Sequence, residues 1–194
     1  MSELKEKERG QAFSLCFLGD KMMRWYILDK DYVNYLRRFD DKVQNVHYGD
    51  TSLKPFIGIL ITINDMHYCV PVSSPKRKHM TMSDSLDFIK LMNLDKAHLF
   101  GVINLNNMIP VKAEYMTPLD YKTIGCQADF FSEVQKERYI RLLKNELRSI
   151  NEKADKIMAN ASRLRDNYIQ YPKGKYALRS CDFALLEQKC AEYK

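Results

Sequence analysis

Pro55-Phe56-Ile57-Gly58-Ile59-Leu60-Ile61-Thr62-Ile63-Asn64-Asp65-Met66-His67-Tyr68-Cys69-Val70-Pro71-Val72-Ser73 is the stretch that decides the fold of this chain. Two apolar runs rich in β-branched residues flank Asn64-Asp65, and such runs form strands. A two-residue turn joins antiparallel neighbours, so the pair reads as a hairpin. Ser73-Ser74-Pro75-Lys76-Arg77-Lys78-His79 stands at its far end and gathers two hydroxyls, three cations and an imidazole within seven residues. Pro75 restricts its own φ and biases Ser74 away from the helical region, so the segment leaves the strand in an extended turn. A cluster of this composition can bind phosphate or help cleave RNA. By local pattern alone it is more often a solvated strand-end turn.

Upstream of the hairpin, Trp25-Tyr26-Ile27-Leu28 reads as a short first strand. Asp29 can cap a helix carrying Tyr32, Val33, Tyr35, Leu36 and Phe39 at helical spacing. Asp40 to Ser52 is polar and reads as a loop. Downstream, Ser83 or Asp84 opens a predicted helix through Leu86, Phe88, Ile89 and Met92. Two strands are expected over Leu99 to Leu105 and Met108 to Val111, joined by Asn106-Asn107, with Pro110 pointing to an edge position for the second. From Phe130 to Tyr168 apolar residues recur at three- and four-residue steps, the mark of one long amphipathic helix or two successive ones. Tyr171-Pro172-Lys173-Gly174-Lys175 interrupts that stripe, and Asp182 caps a last helix bearing Phe183, Leu186 and Cys190. The fold class is therefore α+β, with a long helical C-terminal half. Residues 1–22 form an N-terminal extension ahead of a single domain, 23–194. Three origins stay open for it: an appended helix, a disordered tail, or an upstream start with Met23 the native beginning.

At 194 residues the chain is long enough for one domain with a substantial core. Its net charge of +6 suits a polyanionic partner, and its twelve tyrosines and nine phenylalanines offer faces for base stacking as well as for the core. The five cysteines are odd in number and show no CxxC pair, as befits reduced thiols in the cytosol. His47, His67, His79 and His98 lie apart, with no HExxH or acidic cluster, so neither a dedicated metal site nor a cofactor is expected. No apolar run reaches membrane-spanning length, and the mixed charges of Glu3 to Arg9 do not make a secretory signal. A cytoplasmic location follows as the expectation.

The chain resembles the type III toxin–antitoxin endoribonucleases, the ToxN/AbiQ family, over about Arg24 to Tyr193. The matching landmarks are Trp25-Tyr26-Ile27 with Tyr32 and Tyr35-Leu36, then Phe39-Asp40-Asp41-Lys42-Val43 and Lys54-Pro55-Phe56-Ile57-Gly58-Ile59. Ser73-Ser74-Pro75-Lys76, Ile103-Asn104-Leu105, Met108-Ile109-Pro110 and Asp182-Phe183-Ala184-Leu185-Leu186-Glu187 complete the series. Their order and spacing carry the assignment. The resemblance implies a compact antiparallel sheet of MazF/Kid type packed with helices. It implies metal-independent cleavage of RNA, commonly at adenine-rich sites, leaving a 2′,3′-cyclic phosphate and a 5′-hydroxyl on cellular or phage RNA. It also implies an antitoxin that is itself a repeated RNA, cut by the toxin into pseudoknot units that close with it into a ring-like assembly. A non-catalytic RNA-binding module, or a MazF-type toxin held by a protein antitoxin, are the alternatives.

On this resemblance Lys76 stabilises the charged phosphate, Ser74 holds a non-bridging oxygen or orients a proton, and Ser73 supports it. Lys54 aligns with a second family lysine that binds phosphate or accepts a proton. Tyr32 aligns with an active-site tyrosine, though it also belongs to an apolar helical stripe and fits a core ring. His79 is a candidate leaving-group acid, with RNA binding or a loop role as alternatives. Tyr48 aligns with another family tyrosine across a loop of different length. Arg77 and Lys78 extend the cation patch, and Lys173, Lys175, Tyr176 and Arg179 form a second basic–aromatic stretch suited to antitoxin RNA.

Overall fold

A computed structural model describes residues 22–44, 47–48, 52–53, 57–93, 95, 98–126 and 130–194, with backbone alone at 47–48, 52–53, 57 and 126. The expected hairpin is present. Strand β4 (Ile57–Ile63) and strand β5 (Met66–Ser73) pair antiparallel from Gly58 with Pro71 to Ile63 with Met66. Asn64 and Asp65 both adopt positive φ, 48° and 64°, the left-handed pair that matches a hairpin turn to the twist of its strands.

The hairpin sits at the middle of a seven-stranded antiparallel sheet. Strand β1 (Trp25–Leu28) pairs with β4 and, on its other side, with β9 (Met116–Pro118). Strand β7 (Leu99–Asn104) pairs with β5 at Val72 and Ser73, and with β6 (Phe88–Met92) beyond it. The two-residue strand β8 (Ile109–Pro110) pairs with β5 at Tyr68 and Cys69, so β7 and β8 share one edge of β5 instead of pairing with each other. A 3₁₀ turn, Leu105–Asn107, carries the chain between them.

Helix α1 (Lys30–Arg37) starts where Asp29 accepts a hydrogen bond from the Tyr32 amide at 2.8 Å, which satisfies one of the helix's unpaired first-turn donors. The long apolar stripe resolves into two helices, α3 (Glu133–Glu152) and α4 (Ala154–Gln170), with Lys153 between them. The Trp25 indole donates to the Leu143 carbonyl at 3.0 Å, tying β1 to α3. Helix α6 (Phe183–Glu192) is capped by the Asp182 side chain, as expected. Its Glu187 takes a two-point ion pair from Arg165 of α4, and Tyr68 donates to the same carboxylate. Leu186, Phe183, Tyr68, Ile103 and Ile150 lie in the core these elements enclose.

Two local expectations are corrected. Phe88 to Met92 is a strand, not a helix: β6 gains ladder bonds to β7, and Asp84 accepts from the Lys90 amide at 2.9 Å instead of capping a helix. The described part of the Asp40–Ser52 loop includes β2 (His47–Tyr48), which pairs with β3 (Ser52–Leu53). The chain after Gly174 forms a short helix, α5 (Lys175–Arg179), before Asp182. Residues 1–21 lie outside the described residues, as does Lys54. No helix among the described residues is long and apolar enough to cross a membrane.

Candidate active site

Strand β5 ends at Ser73, in register with Val102 of β7, and Asn104 donates its side-chain amide to the Ser73 hydroxyl at 3.3 Å. Ser74, Pro75 and Lys76 then leave the strand and stand exposed. Lys76 is extended (φ −106°, ψ 159°) and precedes the short helix α2 (Arg77–Thr81), whose Arg77 and Lys78 are also exposed. Lys76, Arg77 and Lys78 thus stand together on the exposed surface beyond β5.

His79 is not part of that exposed surface. It is only 6% exposed and its ring lies 5.3 Å from that of Phe88. Two bonds join it to Lys76: the Lys76 amide donates to His79 Nδ1 at 3.0 Å, and the His79 amide donates to the Lys76 carbonyl at 2.8 Å. Because Nδ1 accepts, the neutral ring carries its proton on Nε2. Burial first, then the charges of Lys78 and Lys76, hold the imidazole below its ordinary pKa. His79 therefore fixes the backbone that presents Lys76, and does so as a neutral ring.

Tyr32 departs from the expected contact with RNA. Its side chain is fully buried, its hydroxyl donates to the Pro110 carbonyl at 2.6 Å, and its ring stacks on Tyr115 at 5.0 Å. Burial, and then the neighbouring Cys190, push its pKa far up, so it holds its proton and braces β8. The apolar stripe of α1 claims this ring. Tyr48 is described in its backbone only.

The second basic stretch divides in two. Arg179 makes a two-point ion pair with Asp87, Nε–Oδ2 2.5 Å and Nη2–Oδ1 2.6 Å, and Asp87 is buried. Its guanidinium also lies 4.9 Å from the Tyr176 ring, so Arg179 is a clamp between α5 and the start of β6. Lys173 and Lys175 remain exposed, Lys175 with its ammonium 4.9 Å from the same ring. The clamp brings the two basic stretches onto neighbouring ground: Asp87 holds Arg179, and the adjacent Phe88 packs on His79.

A cleft of about 260 Å³ opens beside Ser73, and sequence reasoning had not placed it. Arg37, Asp41, Lys42, Gln44 and Asn107 line it with Ser73. The only sequence sign of it is Phe39-Asp40-Asp41-Lys42-Val43, a charged run among the landmarks. No group of three or more His, Cys, Asp or Glu side chains converges among the described residues.

A family model described as toxin ToxN, type III toxin–antitoxin system, matches residues 24–191. The chain is 32% identical to endoribonuclease ToxN of Pectobacterium atrosepticum over 174 residues, 88% of this chain and 94% of the relative. It is 26% identical to endoribonuclease AbiQ of Lactococcus lactis subsp. lactis over 181 residues, 88% and 89% of the two chains. A solved structure concerned with selective toxin inhibition by a non-coding RNA pseudoknot in type III systems superposes with a TM-score of 0.70 at 25% identity, covering 89% of this chain and 98% of that one. Another, of a bacterial antiviral system regulated by a processed non-coding RNA, gives 0.69 at 29% identity, covering 88% and 99%. The family model spans most of the chain, and the chain belongs to the ToxN family, the endoribonuclease toxins of type III toxin–antitoxin systems.

Proposed function

We propose that residues 23–194 form one toxin domain that cuts RNA by transesterification and is restrained by its own repeat-derived RNA. The 2′-hydroxyl loses its proton and its oxygen bonds to phosphorus; the bond from phosphorus to the 5′-oxygen breaks and that oxygen takes up a proton. The products are a 2′,3′-cyclic phosphate and a 5′-hydroxyl, with no water consumed. Charge builds on the non-bridging oxygens in between, where a positioned cation contributes most. Lys76 supplies it, Ser74 donates to one of those oxygens, and Ser73, held by Asn104, supports Ser74. Lys54 is the second cation on the grounds of resemblance. His79 positions Lys76. The observation that carries the reading is the two-bond fastening of Lys76 to a buried, neutral His79 at the exposed end of β5.

The antitoxin is a pseudoknot-forming RNA, gripped by Arg77, Lys78, Lys173 and Lys175 with Tyr176 and assembled with the toxin into a ring. The solved structure concerned with selective toxin inhibition by a non-coding RNA pseudoknot supports an antitoxin of this kind. Cellular or phage RNA is the substrate, and the cytoplasm is where toxin and RNA meet. Expression of Lys76→Ala tests the site: growth is restored while the purified variant still binds the repeat RNA. Undiminished toxicity of that variant would overturn the assignment.

A further inference from the structure

Two adjacent carboxylates beside the Ser73 cleft have opposite fates. Asp40 is buried and fully engaged, accepting from the Lys42 amide at 2.9 Å and the Asp182 amide at 2.7 Å. Asp41 lines the cleft, is exposed, and makes no hydrogen bond or ion pair among the described residues. The wall around it is held in shape. Arg37 donates to the Val43 carbonyl at 2.6 Å, Lys42 to the Ser180 carbonyl at 2.8 Å, and Asn107 to the Lys42 carbonyl at 3.0 Å. Each cation keeps further N–H donors for a ligand.

A phosphate explains the cations but not Asp41, whose charge would repel it. The edge of a nucleobase explains both, since it offers donors to a carboxylate and acceptors to a guanidinium or ammonium. We propose that this cleft seats the base of a nucleotide flanking the cut, and that Asp41 selects a base carrying an exocyclic amine over uracil. The inference rests on the RNA-cutting reading above and adds a specificity residue to it. Guanine presents two N–H groups side by side to the two carboxylate oxygens. Adenine and cytosine present an amine next to a ring nitrogen that accepts from Arg37 or Lys42. Uracil presents a single N–H between two carbonyl oxygens, and one of those faces the second carboxylate oxygen.

The test compares kcat/KM on single-stranded RNAs that differ only in cytosine against uracil, one position at a time on either side of the mapped cut. The wild-type protein should prefer cytosine at one position by on the order of tenfold. Asp41→Ala should bring that ratio close to one, while ratios at the other positions stay. Circular dichroism melting of both proteins checks that the exposed substitution leaves the fold intact; a variant that melts early is replaced by Asp41→Asn, which should shift the same ratio. A wild-type protein with no such preference, or a ratio unmoved in the variant, overturns the base pocket alone. A wild-type protein that cuts no RNA overturns the reading beneath it.

Discussion

His79 acts on Lys76 through geometry, and that geometry has a protonation state. The Lys76 amide needs an unprotonated Nδ1, and burial with two nearby lysine charges keeps the ring neutral in the folded chain. A folded pKa below the ordinary imidazole value of about 6.5 means that the unfolded chain binds more protons in the window beneath it. The stabilisation is thus fully present above about pH 6.5 and is lost as pH falls through the folded value. Cleavage should decline on the same acid side, because a proton on Nδ1 removes the acceptor that holds Lys76. His79→Ala should lower kcat roughly tenfold or more with little change in KM, and should erase that acid step from the pH–rate profile. An acid limb unchanged in the variant would assign it to another group.

At the scale of elements, α5 separates two roles that basic residues can play. Arg179 is tied to buried Asp87, so Arg179→Ala leaves that carboxylate without its counter-charge, with Ser85 still donating to it, and should destabilise the fold by roughly 1–3 kcal/mol in denaturant melts. Lys175 is exposed beside Tyr176, so Lys175→Ala should leave stability alone, weaken antitoxin RNA binding, and reduce its salt slope by about one. Residue type alone could not separate them, because the partner of Arg179 lies 92 positions away. The same limit explains β6. Leu86, Phe88, Ile89 and Met92 are spaced as a helix would have them, yet the ladder to β7 overrides a weak local signal. The hairpin and the Asp29 and Asp182 caps were readable because their chemistry is local: two turn residues, or one carboxylate three residues from its amide. The exposed position of Ser74 and Lys76 at the end of β5 was legible for the same reason. The cleft beside it was not, since Arg37, Ser73 and Asn107 meet only once α1, β5 and the 3₁₀ turn are packed.

Across the whole molecule, the sheet is clamped from behind by α3, and one carboxyl sits in that seam. Glu146 is 5% exposed, and a side chain on Gly101 of β7 would meet its Oε1 at 2.4 Å, so a larger residue there must displace the carboxyl. Burial raises its pKa to about 8. The protonated form fits, so its contribution to stability is fully present below about pH 4.3, the unfolded value, and is lost as pH rises through about 8. Glu146→Gln should therefore raise Tm by at least about 4 °C at pH 8.5 and change it little at pH 4. Equal shifts at the two pH values would mean that the carboxyl is not the source.

The proposed reaction places RNA cleavage at the exposed end of β5, with Lys76 bearing on the phosphate. Its most direct measurement is the chemistry of the ends produced when purified protein is incubated with an adenine-rich RNA in EDTA. A 2′,3′-cyclic phosphate and a 5′-hydroxyl from the wild-type chain, with kcat reduced by about a hundredfold or more in Lys76→Ala, is the predicted result. A 5′-phosphate product, or cleavage at an undiminished rate in Lys76→Ala, would contradict it.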